Sequence, residues 1–214
     1  MLNVQRFIFN MIEENTFVLS DESGEAVIID CGAFYPEERE ALRSYIEERQ
    51  LRPCRLLNTH AHFDHLFGAG FLYDTYGLQP EMLTQELPTY AEAAEQMRRL
   101  LHRDLPLALP PAGPAFNEGD VLTFGHHRLR VIATPGHTPG GACFYCEEEK
   151  ALWSGDSLFR HAIGRTDFPG GSGPALIGSL KEKVLTLPGD VRILPGHGDF
   201  STIDEERRNN FYLQ

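Results

Sequence analysis

The 214 residues carry 19 Lys and Arg against 31 Asp and Glu, a formal net charge of −12, with 42% hydrophobic residues. That excess of negative charge excludes nucleic acid and anionic membrane surfaces as principal partners, since both require a basic footprint. A small-molecule substrate is the partner expected, and four Cys are too few for a disulfide framework in a chain of this length.

The first residues show neither a basic leader nor a small-residue cleavage pattern, so a cytoplasmic location is the expectation. Period-2 or fully apolar patterning predicts strands over 4–10, 16–20 and 25–30, the last two joined by an Asp21-Glu22-Ser23-Gly24 turn. Pro36 opens a helix that runs to about Gln50, with Leu42, Tyr45 and Ile46 as its apolar stripe. A strand over 54–58 runs into a histidine-rich segment, and helices follow over 66–76 and 85–103, the second with a cap conflict at Pro88. Residues 105–116 form the longest stretch free of polar side chains. Four Pro interrupt it and it falls short of the roughly 20 residues a membrane span needs. The Pro-rich 104–114 segment reads as a rigid connector, with a lid as the alternative. Strands recur over 121–124, 128–133, 142–146, 151–153 and 191–194. Helices are expected over 174–186 and, behind the capping box of Thr202 and Glu205, over 203–211.

The unusual feature is nine His beside this acidity, because neutral imidazoles and carboxylates together ligate transition metals. Four predicted strands each end on such residues: 54–58 before His60, His62, Asp64 and His65; 128–133 before His137; 151–153 before Asp156; 191–194 before His197. The strands before His137 and His197 echo each other, both ending in Pro-Gly-His. Functional sites collect at the carboxyl ends of strands in layered α/β proteins. If these four ends share one edge, the donors converge in the number that two cations need when one carboxylate bridges them. His60 and His62, two apart in extended backbone, point the same way. Asp64 and His65 sit where the chain turns and can face a second ion. Two close cations lower the pKa of a shared water toward neutrality and polarise a substrate carbonyl. No Ser-His-Asp set or GxSxG elbow points to an acyl-enzyme. Thioester, lactam, lactone and phosphoester hydrolysis all remain open to these positions.

The segments Thr59-His60-Ala61-His62-Phe63-Asp64-His65, Pro135-Gly136-His137-Thr138-Pro139-Gly140-Gly141, Gly155-Asp156 and Pro195-Gly196-His197-Gly198 resemble the metallo-β-lactamase superfamily, and within it the glyoxalase II-like branch. The resemblance implies an α+β fold, a four-layer αββα sandwich of two mixed sheets flanked by helices, as one domain over 1–214. No separate C-terminal helical domain, of the kind that completes the glutathione site of full-length glyoxalase II, is expected. Carried over by position, His60, His62 and His137 would hold one metal. Asp64, His65 and His197 would hold a second, with Asp156 bridging and Asp64 and Asp156 counted as catalytic. The implied cofactor is a pair of divalent ions, zinc first, with iron or manganese as alternatives. The implied activity is that of a hydroxyacylglutathione hydrolase-like thioesterase, hydroxide attacking the carbonyl of S-lactoylglutathione or a related thioester. A thiolate of pKa roughly 8.5 to 9 leaves without strong acid assistance.

The loop after Asp156 resembles the small hydrolases of that branch, and its Gly164-Arg165-Thr166-Asp167-Phe168 core also resembles persulfide dioxygenases. The alternative activity is therefore a mononuclear iron persulfide dioxygenase, its iron held by His60, His62 or their neighbours with His137 and Asp156. Glyoxalase II places a Lys near the Gly164-Arg165 position for the glycine carboxylate of glutathione, a task that the Arg165 guanidinium suits. Asp167 is expected to orient a ligand imidazole, and Asp30 to support the site rather than react. Cys143 and Cys146 are read as packing residues on opposite strand faces. His102, His126, His127 and His161 are read as exposed or structural.

Overall fold

The computed structural model describes residues 1–103 and 105–214. Strands β1 (Asn3–Phe9), β2 (Glu14–Ser20) and β3 (Glu25–Ile29) form an antiparallel meander. The turn between β2 and β3 closes where Gly24 N donates to Asp21 O, while the Asp21 carboxylate accepts from Ser23. Helix α1 (Pro36–Glu48) starts on a proline, whose missing N–H costs nothing in the first turn. It returns the chain to β4 (Arg52–Leu57), parallel to β3. Helix α2 (Ala69–Tyr76) then leads to the short β5 (Pro80–Glu81), parallel to β4, and the sheet order is β1-β2-β3-β4-β5.

After helix α3 (Leu87–Leu101) comes a second sheet built from β6 (Val121–Phe124), β7 (His127–Ala133), β8 (Ala142–Cys146) and β9 (Ala151–Gly155). A two-residue hairpin follows, β10 (Leu158–Phe159) and β11 (Ala162–Ile163), then helix α4 (Gly173–Ser179). Strands β12 (Arg192–Pro195) and β13 (Ser201–Thr202) and helix α5 (Ile203–Asn209) complete the order β13-β12-β9-β8-β7-β6. β12 is parallel to β9, and β7 and β9 are both antiparallel to β8. The carboxyl ends of β7, β9 and β12 therefore lie on one edge.

Alternation along the strands builds the layers, since successive side chains point to opposite faces. Phe17, Leu19, Val27 and Ile29 of the first sheet meet Leu129, Val131, Phe144 and the fully buried Trp153 of the second. The intervening Val18, Ala26 and Ile28 pack outward on Leu42 and Ile46 of α1 and Leu72 of α2. On the other side, Cys143, Leu152 and Ile193 pack on Leu176 of α4 and Ile203 of α5. The result is the α+β, four-layer αββα sandwich. Cys143 lies in the outer cluster and Cys146 between the sheets, both buried and free, as two faces of one strand require.

Some boundaries differ from the sequence pattern for local reasons. Phe63–His65 forms its own 3-10 turn, so α2 begins at Ala69 rather than 66. Pro88 falls in the first turn of α3, where it is tolerated, and a 3-10 turn over Thr84–Glu86 precedes it. α4 gives way to a π turn over Leu180–Val184. Within the 104–114 segment, Asp104 lies outside the described residues. The remainder is a packed strap: the Tyr90 hydroxyl donates to Pro110 O at 2.6 Å and Gly113 N donates to Pro80 O at 2.8 Å. Among the described residues no helix is long and apolar enough to cross a membrane.

Candidate metal centre

The strands β4, β7, β9 and β12 deliver His60, His62, Asp64, His65, His137, Asp156 and His197 to one place. Ala142 N donates to Thr59 O at 2.8 Å, tying the exit of β4 to the second sheet. His60, His62 and His137 form one group of converging donors, and Asp64, His65 and His197 form another. Asp156 lies between them: Oδ1 is 3.4 Å from His65 Nε2, and Oδ2 is 3.6 Å from His137 Nε2 and 3.7 Å from His197 Nε2. His60 Nε2 stands 3.1 Å from His62 Nδ1, and His197 Nε2 3.2 Å from Asp64 Oδ2. Two nitrogens on one tetrahedral zinc are separated by about 3.3 Å, so these are ligand-to-ligand spacings.

The orientation of the rings is fixed from behind. His137 Nδ1 donates to Arg165 O at 2.7 Å, His197 Nδ1 to Ile12 O at 3.1 Å, and His65 Nδ1 to Asp30 Oδ2 at 3.0 Å. His60 Nδ1 donates to Thr59 Oγ1 at 3.0 Å, and that hydroxyl donates on to Asp30 Oδ2 at 2.7 Å. With Nδ1 as the donor, each of these four rings turns Nε2 inward, the tautomer a metal requires, whereas His62 turns Nδ1 toward His60 Nε2. His65 Nε2, His137 Nε2 and Asp156 Oδ1 are buried with no hydrogen-bond partner among the described residues. Buried polar atoms are nearly always paired, so orphans in both donor groups, with one on the carboxylate between them, fit a pair of cations. Burial pushes His60 well down, reinforced by the charge of His65, and holds His62 at about 3, so both stay neutral donors. Asp156 is held well below the usual carboxylate range: burial opposes this, but His197 and His65 outweigh it. These residues fit a two-cation centre in type and spacing. Without a cation, burial is overcome by Asp156 and Asp64, which raise His65 well above the usual imidazole range and His197 to about 9, so a cation would displace those protons.

The two Pro-Gly-His turns need glycine for different reasons. Gly136 has φ +136°, and a Cβ there would meet Leu176 N of α4 at 2.5 Å. At Gly196 a Cβ would stand 2.3 Å from Asp156 Oδ1. Gly196→Ala is therefore expected to displace Asp156 and lower the metal content per chain while secondary structure survives. Elemental analysis beside circular dichroism checks it.

Three residues support the site from behind: Asp30, expected from its place at a strand end, and Glu14 and Glu86, which carry no signature in the sequence. Asp30, at φ +54°, anchors Thr59 and His65 as above, in keeping with a supporting role. Glu14 is fully buried behind His65, accepting from Thr16 Oγ1 at 2.7 Å and Gly32 N at 3.0 Å, and burial raises its carboxyl to about 8. Glu86, just before α3, accepts from Ala61 N at 2.9 Å and Gly140 N at 2.7 Å. It thus clamps the backbone between His60 and His62 to the loop that carries His137, and burial raises it to about 7. Glu86→Ala leaves both N–H groups unpaired. It is expected to weaken cation binding by about 10- to 100-fold, measured by competition with a chromophoric chelator.

Asp167 requires a correction. It orients no imidazole: it pairs with the Arg165 guanidinium through two contacts of 2.7 Å, and that pairing holds it at about 2. The backbone carbonyl of Arg165 holds His137 instead, because the loop passes main chain, not side chain, behind the ring. The Arg165 guanidinium also lies 3.9 Å over the Phe168 ring, at the wall of a cavity of about 700 Å³ above the centre. His161 pairs with Glu205 at 2.7 Å and His126 with Asp21 at 3.2 Å, both away from the centre.

The family model of the metallo-beta-lactamase superfamily matches residues 12–197. The chain belongs to the metallo-β-lactamase superfamily. Its αββα sandwich is the superfamily's fold. Among superfamily relatives, hydroxyacylglutathione hydrolase GloC of Haemophilus influenzae is 34% identical, the alignment covering 99% of this chain and 98% of that one. Two solved structures are 35% identical. The BLEG-1 B3 metallo-beta-lactamase has a TM-score of 0.90 and covers 100% of both chains. TTHA1623, in a di-iron-bound form, has a TM-score of 0.86 and covers 98% of this chain and 100% of that one.

Proposed function

We propose that this metallo-hydrolase cleaves thioesters of the S-lactoylglutathione type. His60, His62 and His137 would hold one cation and Asp64, His65 and His197 the other, with the Asp156 carboxylate placed to serve both. The observation that carries the reading is the set of inward Nε2 atoms, each fixed by an acceptor behind its ring, at the floor of an apolar-walled cavity. When bound, the two cations supply Lewis acidity toward the carbonyl and bring a water toward ionisation at neutral pH. The chain's own residues do the rest. Asp30 and Thr59 hold the His60 and His65 rings in one tautomer. Phe63, Leu101 and Phe159 line the cavity and keep bulk water from the reacting carbonyl. Asp64 Oδ2 and Asp156 Oδ2 place negative charge beside His197, where burial opposes the proton yet the two carboxylates raise the ring to about 9.

The thioester assignment is supported by similarity to the Haemophilus influenzae hydrolase over nearly the whole chain. Zinc is the first ion to test and iron the second, since a solved neighbour holds iron. The test is elemental analysis of the purified protein with three assays in parallel: S-lactoylglutathione hydrolysis, oxygen uptake with glutathione persulfide, and β-lactam hydrolysis. Near two metals per chain with thioester turnover is the expected result. One iron with oxygen consumption would establish a dioxygenase instead, and β-lactam turnover without thioester turnover a lactamase.

A further inference from the structure

The cavity above the metal centre has two unlike walls. Outside the metal-donor set, Arg165 is the one polar side chain that the described residues bring to its lining. It stands beside the first donor triad, over Phe168, whose ring meets the His62 ring at right angles with centroids 5.4 Å apart. The other wall stands beside the second triad and consists of Ile12, Phe159 and Ala162. Ile12 is fixed through its main chain, where its carbonyl accepts from His197 Nδ1 at 3.1 Å, while its side chain stays 37% exposed. The Phe159 ring lies 6.4 Å from the His197 ring, centroid to centroid. Phe159 and Ala162 are direct partners across the β10–β11 hairpin, so their side chains share one face. Leu158 and Ile163 take the other face and pack into the cluster under α4 and α5. The hairpin is fastened to α5: His161 N donates to Glu206 Oε2 at 2.9 Å, and Asn210 Nδ2 donates to Ala162 O at 3.2 Å. Phe159 and Ala162 are half-buried, so the wall is open to a ligand yet held on fixed backbone. None of its three side chains can form a hydrogen bond.

We infer that Ile12, Phe159 and Ala162 form the acyl subsite, and that it selects thioesters of apolar aliphatic acids over hydroxyacyl ones. The inference rests on the thioester reading above and adds the acyl class and its position to it. A thioester whose carbonyl sits over the metal centre sends its acyl group to one side and its sulfur arm to the other. A water-soluble thiol carrier is polar, and the wall with the Arg165 guanidinium is the one that offers it a polar partner. The acyl group then falls to the apolar wall beside His197. Each methylene laid there leaves water, whereas a hydroxyl would lose its water partners and gain none. Every acyl group brings the same carbonyl to the centre, so this wall is what tells one acyl chain from another.

The test compares the acetyl, propanoyl, butanoyl and lactoyl thioesters of glutathione on the metal-loaded protein. KM should fall about threefold for each methylene from acetyl to butanoyl. Lactoyl is propanoyl with a 2-hydroxyl, and its KM should stand about tenfold above that of the propanoyl ester. Ile12→Ser keeps the main-chain contact with His197 and should shrink the acetyl-to-butanoyl step about threefold. Ala162→Phe, which fills the subsite from the facing strand, should reverse the order, and it serves alone if Ile12→Ser does not fold. A KM that does not fall along the series, that falls as steeply in the variants, or that is equal for lactoyl and propanoyl overturns the acyl subsite. The assignment also fails if the Ile12→Ser effect appears instead between S-ethyl and S-butyl thioacetate, since the wall then holds the leaving thiol. No turnover of any thioester overturns the functional reading. Calorimetry with acetohydroxamate and butanohydroxamate then decides the subsite without turnover. The wild-type protein should bind the longer probe about tenfold tighter, a preference that Ile12→Ser cuts about threefold, and equal binding of the two by the wild type refutes the subsite.

Discussion

Asp156→Ala is expected to empty both halves of the metal centre together and to lower kcat/KM for the thioester by at least about a thousandfold. Both oxygens of this carboxylate are engaged. Oδ1 faces His65 Nε2 at 3.4 Å, and Oδ2 faces His137, His197 and His60 at 3.6, 3.7 and 3.9 Å. No other side chain among the described residues stands between the two triads, so neither can complete its set without it. In the metal-free protein, where burial opposes a charge on His197, this carboxylate is also the main group that raises the ring. Its loss leaves His65 and His197 with Asp64 as their nearest anion on the cavity side, at 3.6 and 3.2 Å. The fold should survive, because the clusters that bind the four layers do not include Asp156. Elemental analysis, circular dichroism and the thioester assay on one preparation check all three statements. A folded, fully metallated and active Asp156→Ala protein would refute the bridging role.

The second large effect is expected at Asp30, which lies behind the ligands. Asp30→Ala should weaken cation binding about 10- to 100-fold and destabilise the chain by about 2–4 kcal/mol. One buried carboxylate accepts from Thr59 N at 2.8 Å, Thr59 Oγ1 at 2.7 Å and His65 Nδ1 at 3.0 Å. Alanine leaves those buried donors unpaired and frees the His60 and His65 rings to turn. It must also adopt φ +54°, a left-handed conformation that costs a residue without a hydrogen-bonding side chain more. Asp30→Asn separates the two contributions. It can still accept from Thr59 N, but it turns an NH₂ toward the Thr59 hydroxyl and the His65 N–H. Metal affinity should then fall nearly as far as in the alanine protein, with a smaller loss of stability. Denaturant unfolding of the metal-free protein and chelator competition measure the two effects separately.

The donor set was legible from the sequence because strand exits have a local signature. The runs 128–133 and 191–194 end on apolar residues, and each leads through Pro-Gly to a histidine where the strand leaves the sheet. The layers were legible for a related reason: strands such as β3 and β8 are apolar on both faces, which requires covering on both sides. Two-residue strands such as β5 and β13 leave no periodicity to read.

What the tertiary structure alone decided lies one contact behind the ligands. Glu86 reaches Ala61 and Gly140 across 25 and 54 residues, and Asp30 reaches His65 across 35. No spacing rule joins positions so far apart. Arg165 shows the same limit. Residue type points to its guanidinium, which the fold sets at the cavity wall and pairs with Asp167, while the main-chain carbonyl, which every residue possesses, holds His137. The acidity noted at the outset is the property of a whole surface. At the centre, charge is set by a few buried groups, with two carboxylates set among five imidazoles. Residue type and strand ends named those groups, but only packing fixed which nitrogen of each ring faces inward.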